Sequence, residues 1–284
     1  MTPATTPVPA QSLRRVALAD RLHLEVFEQG PRDGLPLLLL HGITDSWRSF
    51  EPVLPHLGPQ WRVIVPSQRG HGDSDKPATG YCTDDFVADL VALIEALALP
   101  PVIVVGHSMG STHALRLAAD RPDLVRGLVG LGTFARYGDK PELLQWVAEA
   151  VQPLADPVPR ALVEDFQLGT LARAAAPGLV ERMVDESLKV PAAVWREAFA
   201  GLLEDDFCDR LHRIEVPALL VVAEADAYVP VADAERLQRA MPQARIERWA
   251  GAGHALHWEE PARCAASLVA FARQVAGMSA AAAC

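Results

Sequence analysis

Ser108 stands between two glycines in Gly106-His107-Ser108-Met109-Gly110, where an apolar run, "PPVIVV", gives way to a helical pattern, "STHALRLAAD". A serine hydroxyl is a weak nucleophile at neutral pH. It needs a base within hydrogen-bond reach, an orienting group behind that base, and N–H donors where negative charge develops after attack. A tight strand-to-helix turn lifts the hydroxyl clear of the backbone and aims free amides of the helix start at the developing charge. Small residues two before and two after the serine avoid collisions across the bend. An ordinary turn also explains two glycines, so the reading rests on whether the partners exist elsewhere in the chain.

They occur in order. A carboxylate is expected after a late strand, and Asp226 ends "ALLVVAEADAYVP"; Glu224, two residues earlier, is the rival. The other place for an acid, after the sixth strand in "GLGTFARYGD", offers none before Asp139. A base is expected after the last strand. There "GAGHALHWEEP" supplies His254 in a glycine-rich loop, with His257 as its rival. One oxyanion donor is expected from the backbone of Met109. The second is expected from Ile43, in the loop "HGITDSW" that follows the third strand, where Gly42 permits a close turn. His23, His56 and His212 read as surface groups, and His107 and His113 as packing groups beside the serine. No histidine arrangement has metal-ligand spacing.

The elements that must hold these groups are legible as alternating patterns. "RRVALADRLHLEVFEQG" alternates apolar and polar and turns at Ala19-Asp20, a hairpin. "LPLLLLHG", "WRVIVPS", "PPVIVVGHS", "VRGLVGLGTF" and "VPALLVVAEAD" read as strands buried on both faces, and "ARIERWAGAGH" as a further strand. Helical spacing covers 83–99, with Thr83 or Asp84 as cap, and also 232–241 and 261–275. Strands alternating with helices predict a mostly parallel sheet covered on both sides. From about Arg136 to His212 the periods are helical only, predicting three or four short helices inserted after the sixth strand. The predicted domains are a core of residues 1–135 and 213–284 and a helical cap, or lid, of 136–212. Trp146, Phe166, Trp195, Phe199 and Phe207 either face the site or pack inside the cap. Trp47 and Leu256, beside motif residues, are candidates to line the pocket.

Composition excludes several classes. The 284 residues carry 26 Lys plus Arg against 36 Asp plus Glu, a net charge of −10, with no basic cluster to draw nucleic acid. Four dispersed cysteines at 82, 208, 264 and 284 predict reduced thiols rather than a disulfide framework or zinc site. The tail "MTPATTPVPAQ" lacks the apolar segment of a signal peptide, and no run reaches membrane-spanning length, so a cytoplasmic location is expected.

The pieces "LLLLHGITDSW", "RGHGDSDKP", "GHSMG", "VVAEADAYVP" and "GAGHALHWEEP", in that order, resemble the α/β-hydrolase superfamily from roughly Arg14 to Ala276. The resemblance implies an α/β-hydrolase fold with an eight-stranded sheet, Ser108 as nucleophile, His254 as base and then acid, and Asp226 as orienting carboxylate. It implies no cofactor. Two departures stand out: Ser67, where many relatives have Asp, and Ala223, where they often have Gly; the first is expected to affect loop packing. A serine at the turn, where dehalogenases and epoxide hydrolases carry a carboxylate, points to acyl transfer. The leading expectation is an ester or lactone hydrolase acting on an apolar acyl or ring substrate. The alternatives are a C–C bond hydrolase of ring-cleavage products, a cofactor-free perhydrolase or haloperoxidase-like enzyme, and a small-molecule receptor. Oligomeric state is left open.

Overall fold

The computed structural model describes residues 11–19 and 22–277; the N-terminal tail, part of the first turn and Cys284 lie outside them. Eight strands form one sheet in the order β1-β2-β4-β3-β5-β6-β7-β8. They are β1 (Gln11–Ala17), β2 (His23–Gln29), β3 (Leu35–Leu40), β4 (Trp61–Pro66), β5 (Val102–His107), β6 (Val125–Leu131), β7 (Ala218–Ala223) and β8 (Ala244–Trp249). β1 pairs antiparallel with β2, and β2 antiparallel with β4; the pairings from β4 through β8 are parallel.

Continuous apolar runs become central strands because alternate side chains serve opposite faces, and helices cover both. Leu38, Leu40 and Val104 join one apolar cluster with α1 (Thr83–Ala96), α2 (Met109–Asp120) and α7 (Val231–Ala240). Leu37, Leu39 and Val105 point the other way, into a cluster with the last helix, Pro261–Val275, and the segment from Trp47 to Leu57. The start of α1 differs from expectation. Cys82 precedes it, and the Asp85 carboxylate accepts the Cys82 N–H at 3.1 Å, closing the helix start one residue before Thr83.

Between β6 and β7 lie α3 (Pro141–Trp146), α4 (Arg160–Gly169), α5 (Leu179–Ser187) and α6 (Ala192–Glu204). Trp195 and Phe199 pack in their shared apolar cluster, which also takes in Ile43, Met109 and Phe134 at the C-terminal edge of the sheet. Phe207 turns instead into the core under the sheet. Arg116 of α2, almost fully buried, binds Asp205 at 2.7 Å and also reaches Asp84, tying the end of the insertion to α1 and α2.

Two expectations about individual residues are settled by packing. Trp47 and Leu256 pack in the core and are not among the residues lining the cavity described below; Trp47 stacks on Phe27 with ring centroids 4.6 Å apart, and Leu256 is fully buried among core residues. Ser67 serves loop packing, donating to Glu25 Oε2 at 2.9 Å and accepting from the Trp47 N–H at 3.2 Å.

The turn at Ser108 is held by close backbone approach. A side chain on Gly106 would place its Cβ 2.2 Å from the Gly110 carbonyl oxygen and 2.5 Å from Ser111 Cα; one on Gly110 would fall 2.3 Å from the Leu40 oxygen. Both obstacles are backbone and cannot rotate away. Gly106→Ala is expected to destabilise the fold by about 3 kcal/mol, read as a lowered urea midpoint with an unchanged slope.

Candidate active site

Ser108 follows β5 directly and precedes the first residue of α2, with φ 50° and ψ −121°. A non-glycine residue there carries strain of order 1–3 kcal/mol and is held by its surroundings. The Ser108 N–H donates to the Leu131 carbonyl at 3.0 Å, which docks the turn on the end of β6.

Asp226 and His254 come together in the loops after β7 and β8. His254 Nδ1 lies 2.8 Å from Asp226 Oδ2, with both side chains almost fully buried. The other oxygen, Asp226 Oδ1, accepts the backbone N–H groups of Tyr228 at 2.8 Å and Val229 at 3.0 Å. These donors fix the carboxylate's rotation, so its second oxygen faces the imidazole. Glu224, the rival acid, is exposed. His257, the rival base, meets no carboxylate directly: its Nε2 lies 3.0 Å from Ser49 Oγ, and burial pushes its pKa down to about 3.

The imidazole of His254 stands near the serine turn. Its ring centroid is 4.8 Å from that of His107, the residue before Ser108, and its Nδ1 would lie 3.1 Å from a Cβ on Gly132, which follows Leu131. His107 Nε2 donates to the His254 carbonyl at 3.1 Å, and burial keeps the His107 ring neutral. The packing role expected of His107 is therefore a specific one: it ties the base's backbone to the residue preceding the nucleophile.

Ile43 and Met109 belong to one buried cluster at the sheet edge. Among the described residues no group accepts from either backbone N–H. The loop bearing Ile43 is held from below. His41 Nδ1 donates to the Gly42 carbonyl at 2.7 Å, its Nε2 accepts the Gln68 N–H at 2.9 Å, and the Gln68 amide donates to the His41 carbonyl at 3.0 Å. His113 closes this web at 2.6 Å from Gln68 Oε1.

Three further features escape sequence reading. The Tyr137 phenol is buried close to the Ser108 hydroxyl and lies 3.5 Å from Thr112 Oγ1; burial raises its pKa, so it stays neutral. Aromatic rings enclose the base, with Phe134 at 6.1 Å and Tyr228 at 5.3 Å from the His254 centroid, both edge-on. Finally, Asp45, two residues after Ile43, is buried and accepts from Ser49 Oγ at 3.0 Å and from Gln167 Nε2 of α4 at 3.1 Å. Gln167 also bonds Ser187 Oγ of α5 at 2.8 Å, and Ser187 in turn bonds Thr44 at 3.2 Å. A polar ring thus joins the loop after β3 to two helices of the insertion.

Burial raises the Asp45 pKa to about 7, against the lowering effect of its two hydrogen bonds and of His254. A carboxyl that holds its proton in the folded state loses it first in the unfolded chain. Stability therefore falls as pH rises from about 4 to about 7, by on the order of 2–4 kcal/mol. Asp45→Asn is expected to flatten that slope, leaving the variant the more stable form at pH 8; urea midpoints at acidic and alkaline pH measure it.

A cavity of about 640 Å³ opens between α3, α4 and the loop after β7, lined by Trp146, Phe166, Tyr228 and Asp226 among others. Of the five insertion aromatics singled out in the sequence, Trp146 and Phe166 face it. Ser108 and His254 are not among its lining residues; Phe134 and Tyr228, which line it, stand against the His254 ring. No group of metal-ligating side chains occurs among the described residues, and none of their helices is long and apolar enough to cross a membrane.

Known proteins share this architecture. A solved esterase from Thermogutta terrifontis superposes with a TM-score of 0.83 at 25% identity, covering 93% of this chain and 99% of the other. In sequence, the chain is 28% identical to a non-heme chloroperoxidase of Streptomyces lividans, over 91% of this chain and 99% of that protein. It is 31% identical to the 2-(acetamidomethylene)succinate hydrolase of Mesorhizobium japonicum, over 87% of this chain and 90% of the relative. A family model described as the alpha/beta hydrolase fold matches residues 36–261. Together with the sheet order and the serine turn, this match makes the chain a member of the α/β-hydrolase family.

Proposed function

We propose that this hydrolase cleaves carboxylic esters or lactones through an acyl-enzyme, with Ser108 as nucleophile, His254 as base and then acid, and Asp226 as the orienting carboxylate. The observation that carries the reading is the buried 2.8 Å pair of His254 Nδ1 and Asp226 Oδ2 beside a serine held at φ 50°. With Nδ1–H committed to the carboxylate, Nε2 is the edge left to take the serine proton. As Ser108 Oγ bonds to the substrate carbonyl carbon, its proton passes to His254 and negative charge collects on the carbonyl oxygen, where the amides of Ile43 and Met109 receive it. His254 returns the proton to the departing alcohol, and water repeats the sequence on the acyl-enzyme. The helices between β6 and β7 act as a cap that shapes the acyl site with Trp146 and Phe166.

The Streptomyces relative supports a second reading, halogenation through a peracid formed at the same serine. The Mesorhizobium relative's name carries a succinate, a dicarboxylate. Among the described residues, the one lysine lining this cavity, Lys140, is already held by Asp233, so that substrate class is not carried over. A panel of aryl esters, lactones and a ring-cleavage diketone, with fluorophosphonate capture of the nucleophile, tests the proposal. Ester turnover with the adduct on Ser108 is the expected result. Preference for the diketone, or halogenation that depends on peroxide and acetate and outpaces hydrolysis, would replace it.

A further inference from the structure

An aromatic path leads inward from the cavity. Trp146 and Phe166 stack with centroids 5.5 Å apart, Phe166 reaches Tyr228 at 6.5 Å, and the Tyr228 ring stands edge-on to His254 at 5.3 Å. A planar apolar group entering here meets aromatic rings down to the base.

The charges along the same walls are one-sided. Glu142, Asp165 and Asp226 line the cavity against a single cation, Lys140. The Lys140 ammonium is already engaged, by Asp233 at 3.0 Å, by the Arg136 carbonyl at 2.9 Å and by Asp139. The Asp226 carboxylate is taken up by hydrogen bonds with His254, Tyr228 and Val229. Glu142 and Asp165 have no cationic partner among the described residues, and both are exposed at the rim. Their fields act across an apolar cleft in a chain of net charge −10, where a low-dielectric wall focuses rather than screens them. A carboxylate arriving in the cavity meets repulsion and, among the described residues lining it, finds no free ammonium or guanidinium. A neutral aromatic group is indifferent to the rim. A cation gains from the acids and from the aromatic lining.

We infer that the site takes neutral or cationic aromatic esters and rejects esters that carry a carboxylate on the same moiety. Glu142 and Asp165 set this charge preference, and Trp146, Phe166 and Tyr228 set the preference for a ring. The inference rests on the ester reading above.

The test uses para-nitrophenyl esters of para-isopropyl-, para-trimethylammonio- and para-carboxyphenylacetic acid, identical at the scissile bond. At low salt kcat/KM for the anionic ester is expected to be about tenfold below that of the neutral one, carried by KM, with the cationic ester at least equal to the neutral one. About 1 M salt is expected to shrink the gap, because the rim acids face solvent. The Glu142→Gln, Asp165→Asn double variant is expected to raise the anionic-to-neutral ratio about three- to fivefold. Equal cleavage of anionic and neutral esters by the native protein overturns the inference, as does a ratio that neither salt nor the double variant moves. Fluorophosphonate labelling of the same preparation keeps the two failures apart. Labelled Ser108 with a flat charge ratio sinks only the charge preference, whereas no labelling and no turnover of any ester sinks the ester reading itself.

Discussion

Ser108→Ala is expected to lower kcat on an aryl ester by about 10⁶-fold, leaving only what the oxyanion donors and binding supply over the uncatalysed reaction. The side chain removed is small and sits at a turn fixed by its neighbours, so the variant is expected to fold with an unchanged urea midpoint. Ser108→Gly sharpens the test. It loses the same hydroxyl, but glycine is at ease at φ 50°, so this variant is expected to be equally inactive and about 1 kcal/mol more stable than the native chain. Steady-state hydrolysis and urea titration of the pair separate chemistry from folding. Activity retained by either variant removes the proposed nucleophile.

Asp226→Asn is expected to cost about 10⁴-fold in kcat with little change in KM. The reason lies in the two N–H groups of Tyr228 and Val229 that converge on Asp226 Oδ1. An asparagine must offer its oxygen to those donors, which turns its NH₂ toward His254. The imidazole then accepts at Nδ1 and carries its proton on Nε2, the edge that should receive the serine proton. The change is isosteric, so the loss arises from the wrong tautomer and not from a collapsed loop. A single-turnover assay of acyl-enzyme formation measures it. A loss of less than tenfold would show that the carboxylate does not set the tautomer.

Much of this was readable before any coordinates, and for identifiable reasons. Central parallel strands are buried on both faces, so "LPLLLL" and "VIVVGH" announce themselves as uninterrupted apolar runs. Ser108, Asp226 and His254, the proposed triad, all follow the C-terminal ends of strands. Ile43 and Met109 could be named from sequence because the need for backbone donors depends on position and not on side-chain type; their donor role is part of the proposal. What stayed hidden depends on contacts between distant segments. Asp45 and Gln167 are 122 positions apart, and nothing local to either marks the bond between them. Tyr137 comes near Ser108 only through the path of the chain after β6. Helical spacing placed five aromatics on the insertion but could not sort them: Trp146 and Phe166 face the cavity, Trp195 and Phe199 pack among the helices, and Phe207 drops under the sheet. Trp47 and Leu256 misled for the opposite reason, since adjacency in sequence to a motif says nothing about which way a side chain turns.

The hydrogen-bonded ring of Thr44, Asp45, Gln167 and Ser187 has a bearing on how such a protein can be re-engineered. Its helical insert and the loop after β3 are not separable modules. A chimera that imports another protein's helices leaves an acid stranded in a dry interior two residues from Ile43, the proposed donor, and is therefore expected to disturb turnover as well as selectivity. Exchange of the insert succeeds only when residues 44–49 travel with it.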